Sequence, residues 1–321
     1  MRAGRKLRCL AAGGVVAAAA TSGAGPAGCG EREEPAAEVS GRQAAERVAA
    51  RFDAERAFAD LRAQVRFGPR PAGSGANRRL AAVLAARLRE AGVDEVRVQR
   101  PYRNVVGVIP GREPGAVVVG AHHDTKDAIP RFVGANDGAS GVALVLELAR
   151  ALAQRVEGPS IHLALFDAEE ARGERPFAED GARGSRQYVR YAAAGGRQGS
   201  PRLDEIAEML LFDLVADCEL GIPREANSDP ALYGRVRDAA VELEPEGGGE
   251  PFSGETAAIL DDHIPFAQAG VPVVDLIDFQ YGPGPRPGAW WHTREDDLGR
   301  VCAHSLAAVG RPALVALSES G

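Results

Sequence analysis

Residues 117–141 read VVVGAHHDTKDAIPRFVGANDGASG, and the reading of this stretch decides the fold. Three valines followed by Gly-Ala predict a buried strand. The strand empties into His122, His123 and Asp124, and after a polar excursion Asn136, Asp137 and Gly138 open a helix. Imidazoles and carboxylates at a strand end are how an α/β protein builds a site at the carboxyl edge of its sheet. In an extended chain His122 and Asp124 point one way and His123 the other.

Outward from this stretch the same pattern recurs. Residues 96–98, 104–109, 161–166, 209–212 and 271–277 read as further apolar strands. A helix with an imperfect apolar face is expected over residues 44–64, and an amphipathic one runs from about Leu80 to Gly92. In residues 139–153, Val142, Val145, Leu146, Ala149 and Leu152 predict a buried helix. Strands alternating with helices predict an α/β domain with an open, largely parallel or mixed sheet covered on both faces. No repeat and no second core-sized segment appears, so one domain is expected from about residue 42 to 320.

The 321 residues are 45% hydrophobic and 26% charged, enough for one substantial core. With 5% aromatics, a formal charge of −7 and no basic stripe, nucleic acid is excluded as a partner. Residues 1–29 read as a signal peptide: Arg2, Arg5, Lys6 and Arg8 precede a short apolar run and small residues. The ending Ala27-Gly28-Cys29 resembles a bacterial lipoprotein cleavage site, which would attach lipid to Cys29 and hold the protein at a membrane. Residues 30–41 read as a flexible tether, and the protein is expected in the cell envelope or periplasm. No obligate protein partner is inferred. Cys218 and Cys302 can form one bridge, but the spacing does not show that they meet.

The polar clusters fall at strand ends: His122 with Asp124, Glu169 with Glu170, Asp213, and later His292 after Trp290 and Trp291. Oxygen and imidazole donors without thiolates suit a catalytic zinc rather than a structural cysteine site. Adjacent glutamates cannot easily face one ion, so Glu170 reads as a ligand and Glu169 as a proton carrier.

Together, residues 117–125, 134–150, 163–171, 211–217, 261–279 and 290–293 resemble the zinc-dependent M28 aminopeptidase superfamily. Within it HHDTK (122–126), DDHIPF (261–266) and WHT (291–293) are most similar to the glutaminyl-peptide cyclotransferases. The resemblance implies an α/β/α sandwich around a twisted mixed sheet, and one zinc held by Asp137, Glu170 and His292. It implies Glu169 as general base and acid, Asp213 and Asp261 as catalytic acids in the proton network, and Trp291 as an aromatic substrate wall. The substrates would be peptide or protein N-termini, an N-terminal glutamine being cyclised to pyroglutamate with loss of ammonia.

Asp124 and Lys126 would support the His122 segment, and His263 would orient its loop. Animal cyclases carry a tryptophan shortly after Glu-Glu-Ala, where this chain reads RGERPF, so Phe177 is the candidate substitute. They carry a histidine where this chain has Asp275, read here as a structural acid. Two alternatives stand: a two-zinc aminopeptidase in which His122 and Asp213 complete a second ion's shell, and an inactive exported binding protein. Intact Glu169 weighs against the latter.

Overall fold

The structure, a computed structural model, describes residues 36–152, 156–252 and 254–318. The signal segment, Cys29 and the first residues of the expected tether lie outside the described residues. Helix α1 (Ala36–Ala49) takes up the remainder of that tether. The single helix expected over residues 44–64 is two, because α2 (Ala54–Val65) starts afresh. The reason is local. Asp53 has extended backbone and accepts the Arg56 N–H at 3.0 Å, a helix N-cap, while Phe52 turns into the core.

Six strands form the main sheet: β1 (Asp94–Val98), β2 (Val105–Ile109), β3 (Glu113–His122), β4 (Pro159–Phe166), β5 (Ile206–Asp213) and, after the short pair β6 (Arg224–Glu225) and β7 (Thr256–Ala257), β8 (Val273–Ile277). Their order is β1-β2-β4-β3-β5-β8. β1, β2 and β4 pair antiparallel; β4, β3, β5 and β8 run parallel. The sheet is mixed, with helices on both faces.

Side-chain alternation assigns the faces. Val117, Val119 and Ala121 of β3 enter the larger core, packed by α2, α3 (Gly75–Glu90), α4 (Ala139–Leu152) and α9 (Ala303–Ser318). Val118 enters the smaller core with Tyr188 of α6 (Arg183–Ala193) and Phe266 of α8 (Ile264–Gln268). In β5, Leu210 and Phe212 go to the larger core and Met209 and Leu211 to the smaller. His122 and Asp213 continue the smaller-face parity at the ends of their strands. Because β4, β3, β5 and β8 run parallel, their carboxyl ends gather the ionisable residues at one edge.

Cys218 and Cys302 form a disulfide with Cα atoms 5.0 Å apart, fastening the chain beyond β5 to the start of α9. No helix of the described residues is long and apolar enough to cross a membrane.

Candidate metal centre

Three elements deliver one donor cluster. Asp137 stands just before α4, Glu170 follows β4, and His292 lies in the loop preceding α9. His292 Nε2 is 3.1 Å from Glu170 Oε1 and 3.3 Å from Asp137 Oδ2, and the three ligand atoms lie within 4.8 Å of one another. Burial opposes charge on His292, but the carboxylates of Asp137 and Glu170 outweigh it and raise its pKa to about 10. Burial likewise pushes Asp137 up, but His122 and His292 outweigh it and hold the carboxyl well below the usual carboxylate range.

The backbone fixes these donors. Asp296 accepts the N–H groups of Asn136 at 2.7 Å and Asp137 at 3.1 Å, and the Tyr281 hydroxyl donates to it at 2.9 Å. Buried Arg70 donates to the carbonyls of His123, Val133 and Gly134. Gly138 has φ 88°, and a Cβ there would sit 2.6 Å from the Asp124 carbonyl. At Gly141 a Cβ would lie 2.0 Å from the Phe212 carbonyl, so glycine lets α4 press against β5. His292 itself has φ 51°, with Trp291 stacked on its ring at 3.7 Å and Phe132 edge-on at 5.9 Å.

A second cluster shares Asp137. His122 Nε2 lies 3.3 Å from Asp137 Oδ1 and 3.2 Å from Asp213 Oδ1, and His122, Asp137 and Asp213 also meet the 4.8 Å condition. Asp124 accepts the backbone N–H of Glu169 at 3.1 Å and of Glu170 at 3.4 Å, while standing 3.7 Å from His122 Nδ1. It therefore braces the acid pair as well as the His122 segment. Ala168, before the pair, and Leu214, after Asp213, both have left-handed backbone, φ 59° and 50°. Strain of this kind concentrates where geometry matters more than local comfort.

Glu169 belongs to neither cluster; its Oε2 is 4.0 Å from His122 Nδ1. Burial raises its carboxyl well above the ordinary range, His122 pulls the other way, and Glu170, Asp261 and Asp262 add to the rise. Carboxylates this numerous in a buried site call for a cation. The hard oxygen and imidazole donors fit zinc in one site or two.

These groups line a cavity of about 430 Å³. Of the residues expected at the site, His122, Lys126, Asp137, Glu169, Glu170, Phe177, Asp213, Asp261, Trp291 and His292 border it directly. Phe177 is half-buried at the start of the short helix α5 (Phe177–Asp180), and Lys126 donates to the Ala171 carbonyl. Asp124, His263 and Asp275 lie behind the wall rather than on it. His123 turns away, its ring near Asn77 and the Arg103 carbonyl. Sequence reading missed Phe279, Ile259 and Leu260 on the wall, and Asp296 and Tyr281 behind Asp137. Nothing in a lone Phe or Asp marks it; only the distance across the fold does.

A buried three-donor cluster at the carboxyl edge of a mixed sheet, with a free-standing glutamate beside it, defines a metal-dependent site of the zinc-exopeptidase type. The chain belongs to peptidase family M28, whose model matches residues 104–317, and falls in the branch shared with the glutaminyl cyclases. It is 31% identical to the crystal structure of an Acidobacteriales bacterium glutaminyl cyclase, TM-score 0.71, covering 83% of this chain and 94% of that one. It is 25% identical to a leucine aminopeptidase precursor from Bacteroides thetaiotaomicron, TM-score 0.68, covering 84% and 98%. Against the glutaminyl-peptide cyclotransferase of Boiga irregularis it is 29% identical over 233 residues, 62% of this chain; the match spans 60% of that relative's length.

Proposed function

We propose that the chain is a zinc-dependent glutaminyl-peptide cyclotransferase that converts an N-terminal glutamine of a peptide or protein to pyroglutamate and ammonia. The observation that carries this reading is Glu169: buried, outside both donor clusters, on the cavity wall with Asp261 and Trp291. Asp137, Glu170 and His292 would hold the zinc, which when bound supplies a Lewis acid for the substrate γ-carbonyl. Trp291 packs the glutamine side chain, with Phe177 on the wall as a second aromatic surface.

The α-amine attacks the γ-carbonyl carbon, so that one C–N bond forms and the bond to the side-chain nitrogen breaks. Glu169 takes the proton shed by the attacking nitrogen and passes it to the departing one, which leaves as ammonia. No water enters the bond changes. Asp213 and Asp261 act on the same network; Asp261 accepts the Asp262 N–H on one oxygen, and its other has no partner among the described residues.

A second reading has a specific observation behind it. The His122, Asp137 and Asp213 cluster offers a second ion a place, which suits an aminopeptidase acting through a metal-activated water. Zinc-loaded protein given Gln-peptides and neutral aminoacyl peptides separates the two: ammonia release supports cyclisation, and release of the first amino acid supports hydrolysis. We also propose export, with residues 1–29 as the signal and Cys29 as lipid anchor. Intact-mass analysis of the membrane fraction tests it, an unlipidated mature chain rejecting the anchor and an uncleaved cytosolic chain rejecting export.

A further inference from the structure

Behind the wall that carries Asp261, three ionisable side chains meet that the proposed proton transfer does not use. Glu225 on β6, His263 just before α8 and Asp275 in the middle of β8 are all completely buried. His263 Nε2 lies 3.1 Å from Glu225 Oε2, and its Nδ1 lies 3.3 Å from Asp275 Oδ2. An imidazole facing a carboxylate on each side serves both only when both nitrogens carry protons. Burial opposes that charge, but Asp275 and Glu225 outweigh it and raise the pKa of His263 to about 10.

Each member of the trio is tied to a different part of the site. Glu225 Oε1 accepts the Ile259 N–H at 3.3 Å and the Asn227 side-chain amide at 2.9 Å, and Oε2 accepts the Asn227 backbone N–H at 2.7 Å. The Glu225–Ala257 ladder pair lies just upstream, so the carboxylate sits where the wall segment 258–261 departs. Asp275 belongs to the main sheet, with its N–H donating to Ser228 Oγ at 2.9 Å. His263 is two residues past Asp261 and stands at ion-pair distance from both acids, with neither ring nitrogen in hydrogen-bond alignment. Sheet, turn and pocket wall thus converge on one imidazole.

We propose that Glu225, His263 and Asp275 form a buried carboxylate–imidazolium–carboxylate clamp that positions Asp261 and the wall segment 258–260 against the substrate, making Glu225 a positioning residue for catalysis. The proposal rests on the reading of Asp261 as an acid of the reaction. It gives Asp275 and His263 one joint task. A buried ion pair is a poor source of net stability, because desolvation offsets the attraction, but it holds a defined geometry, and here that geometry lies directly behind a working carboxylate.

The test uses full-length zinc-loaded protein and the variants Glu225→Gln, which keeps the shape and removes the charge, Glu225→Asp and Asn227→Ala. Asn227 is exposed, so its removal loosens Glu225 from outside without emptying the core. Nitrogen NMR of histidine-labelled wild type should show His263 protonated on both nitrogens at neutral pH. In Glu225→Gln that signature is lost, zinc content is unchanged, and kcat falls by up to about a hundredfold, the cost a displacement of ~1 Å can carry. Glu225→Asp recovers part of the loss, and Asn227→Ala shows a smaller fall with normal zinc.

The reaction followed is whichever one the wild type catalyses. If that is peptide hydrolysis, the cyclase reading fails while the clamp is still tested by the kcat of hydrolysis. A neutral His263 in the wild type overturns the clamp. So does unchanged kcat per zinc-loaded molecule in Glu225→Gln and Asn227→Ala, even if melting temperatures fall.

Discussion

On the proposed mechanism, replacing Glu169 by Gln removes the proton carrier and little else. The side chain is almost fully buried, the replacement has the same volume, and the backbone N–H of residue 169 stays bonded to Asp124. Neither donor cluster contains residue 169, so zinc content should match the wild type. What is lost is a base able to accept a proton from one nitrogen and return it to another. A positioned proton carrier is worth about 10²–10⁴-fold in rate. At 1.36 kcal/mol per tenfold this is about 3–5 kcal/mol of transition-state stabilisation. The assay is continuous ammonia release from a Gln-peptide, with elemental analysis of the same sample. Turnover within a few-fold of wild type in a fully zinc-loaded Glu169→Gln protein would refute the assignment. Loss of zinc together with activity would show that Glu169 belongs to the metal shell.

The other predictions concern the metal, the disulfide and pH. His292→Ala removes one of three donors and should leave the dialysed protein nearly free of zinc, whereas His122→Ala should retain one equivalent; equal losses in elemental analysis would contradict the one-zinc reading. The Cys218–Cys302 bridge closes a loop with a sequence separation of 84, so replacing both cysteines by serine should cost about 4–5 kcal/mol in the chain-entropy account; an unchanged denaturation midpoint would refute this. Asp278 is buried beside Asp217, and burial is the main cause that raises its pKa to about 7. An acid whose folded-state pKa exceeds its unfolded value binds more protons when folded, so stability should fall as pH rises from about 4 to 7. Asp278→Asn should flatten that fall in urea titrations, and an unchanged slope would count against it.

The strands were legible because burial on both faces leaves runs of Val, Ile and Leu that few other structures tolerate. Residues 117–119 and 161–166 stand inside β3 and β4 as observed. The placement of His122, Asp213 and the Glu169–Glu170 pair was legible for a related reason, since an acid or imidazole at the end of such a run is carried to the sheet edge by the strand itself, whereas Asp137 and His292 stand on loops that no strand run marks. The break between α1 and α2 was not, because the imperfect apolar face runs across it and only the Asp53 cap marks the restart. Nor was Glu225 visible: it lies on a two-residue strand far in sequence from His263 and Asp275, with no periodicity to flag it. The disulfide likewise depends on where the segment after β5 meets α9.

Whether water takes part in the bond changes tests the central claim most directly. Zinc-loaded protein and a Gln-peptide are incubated in water enriched in heavy oxygen, and the products are read by mass spectrometry. Internal attack by the α-amine predicts a peptide that has lost ammonia and carries no solvent oxygen. Free glutamine and a shortened peptide, with heavy oxygen in the released carboxylate, would contradict it and establish hydrolysis instead.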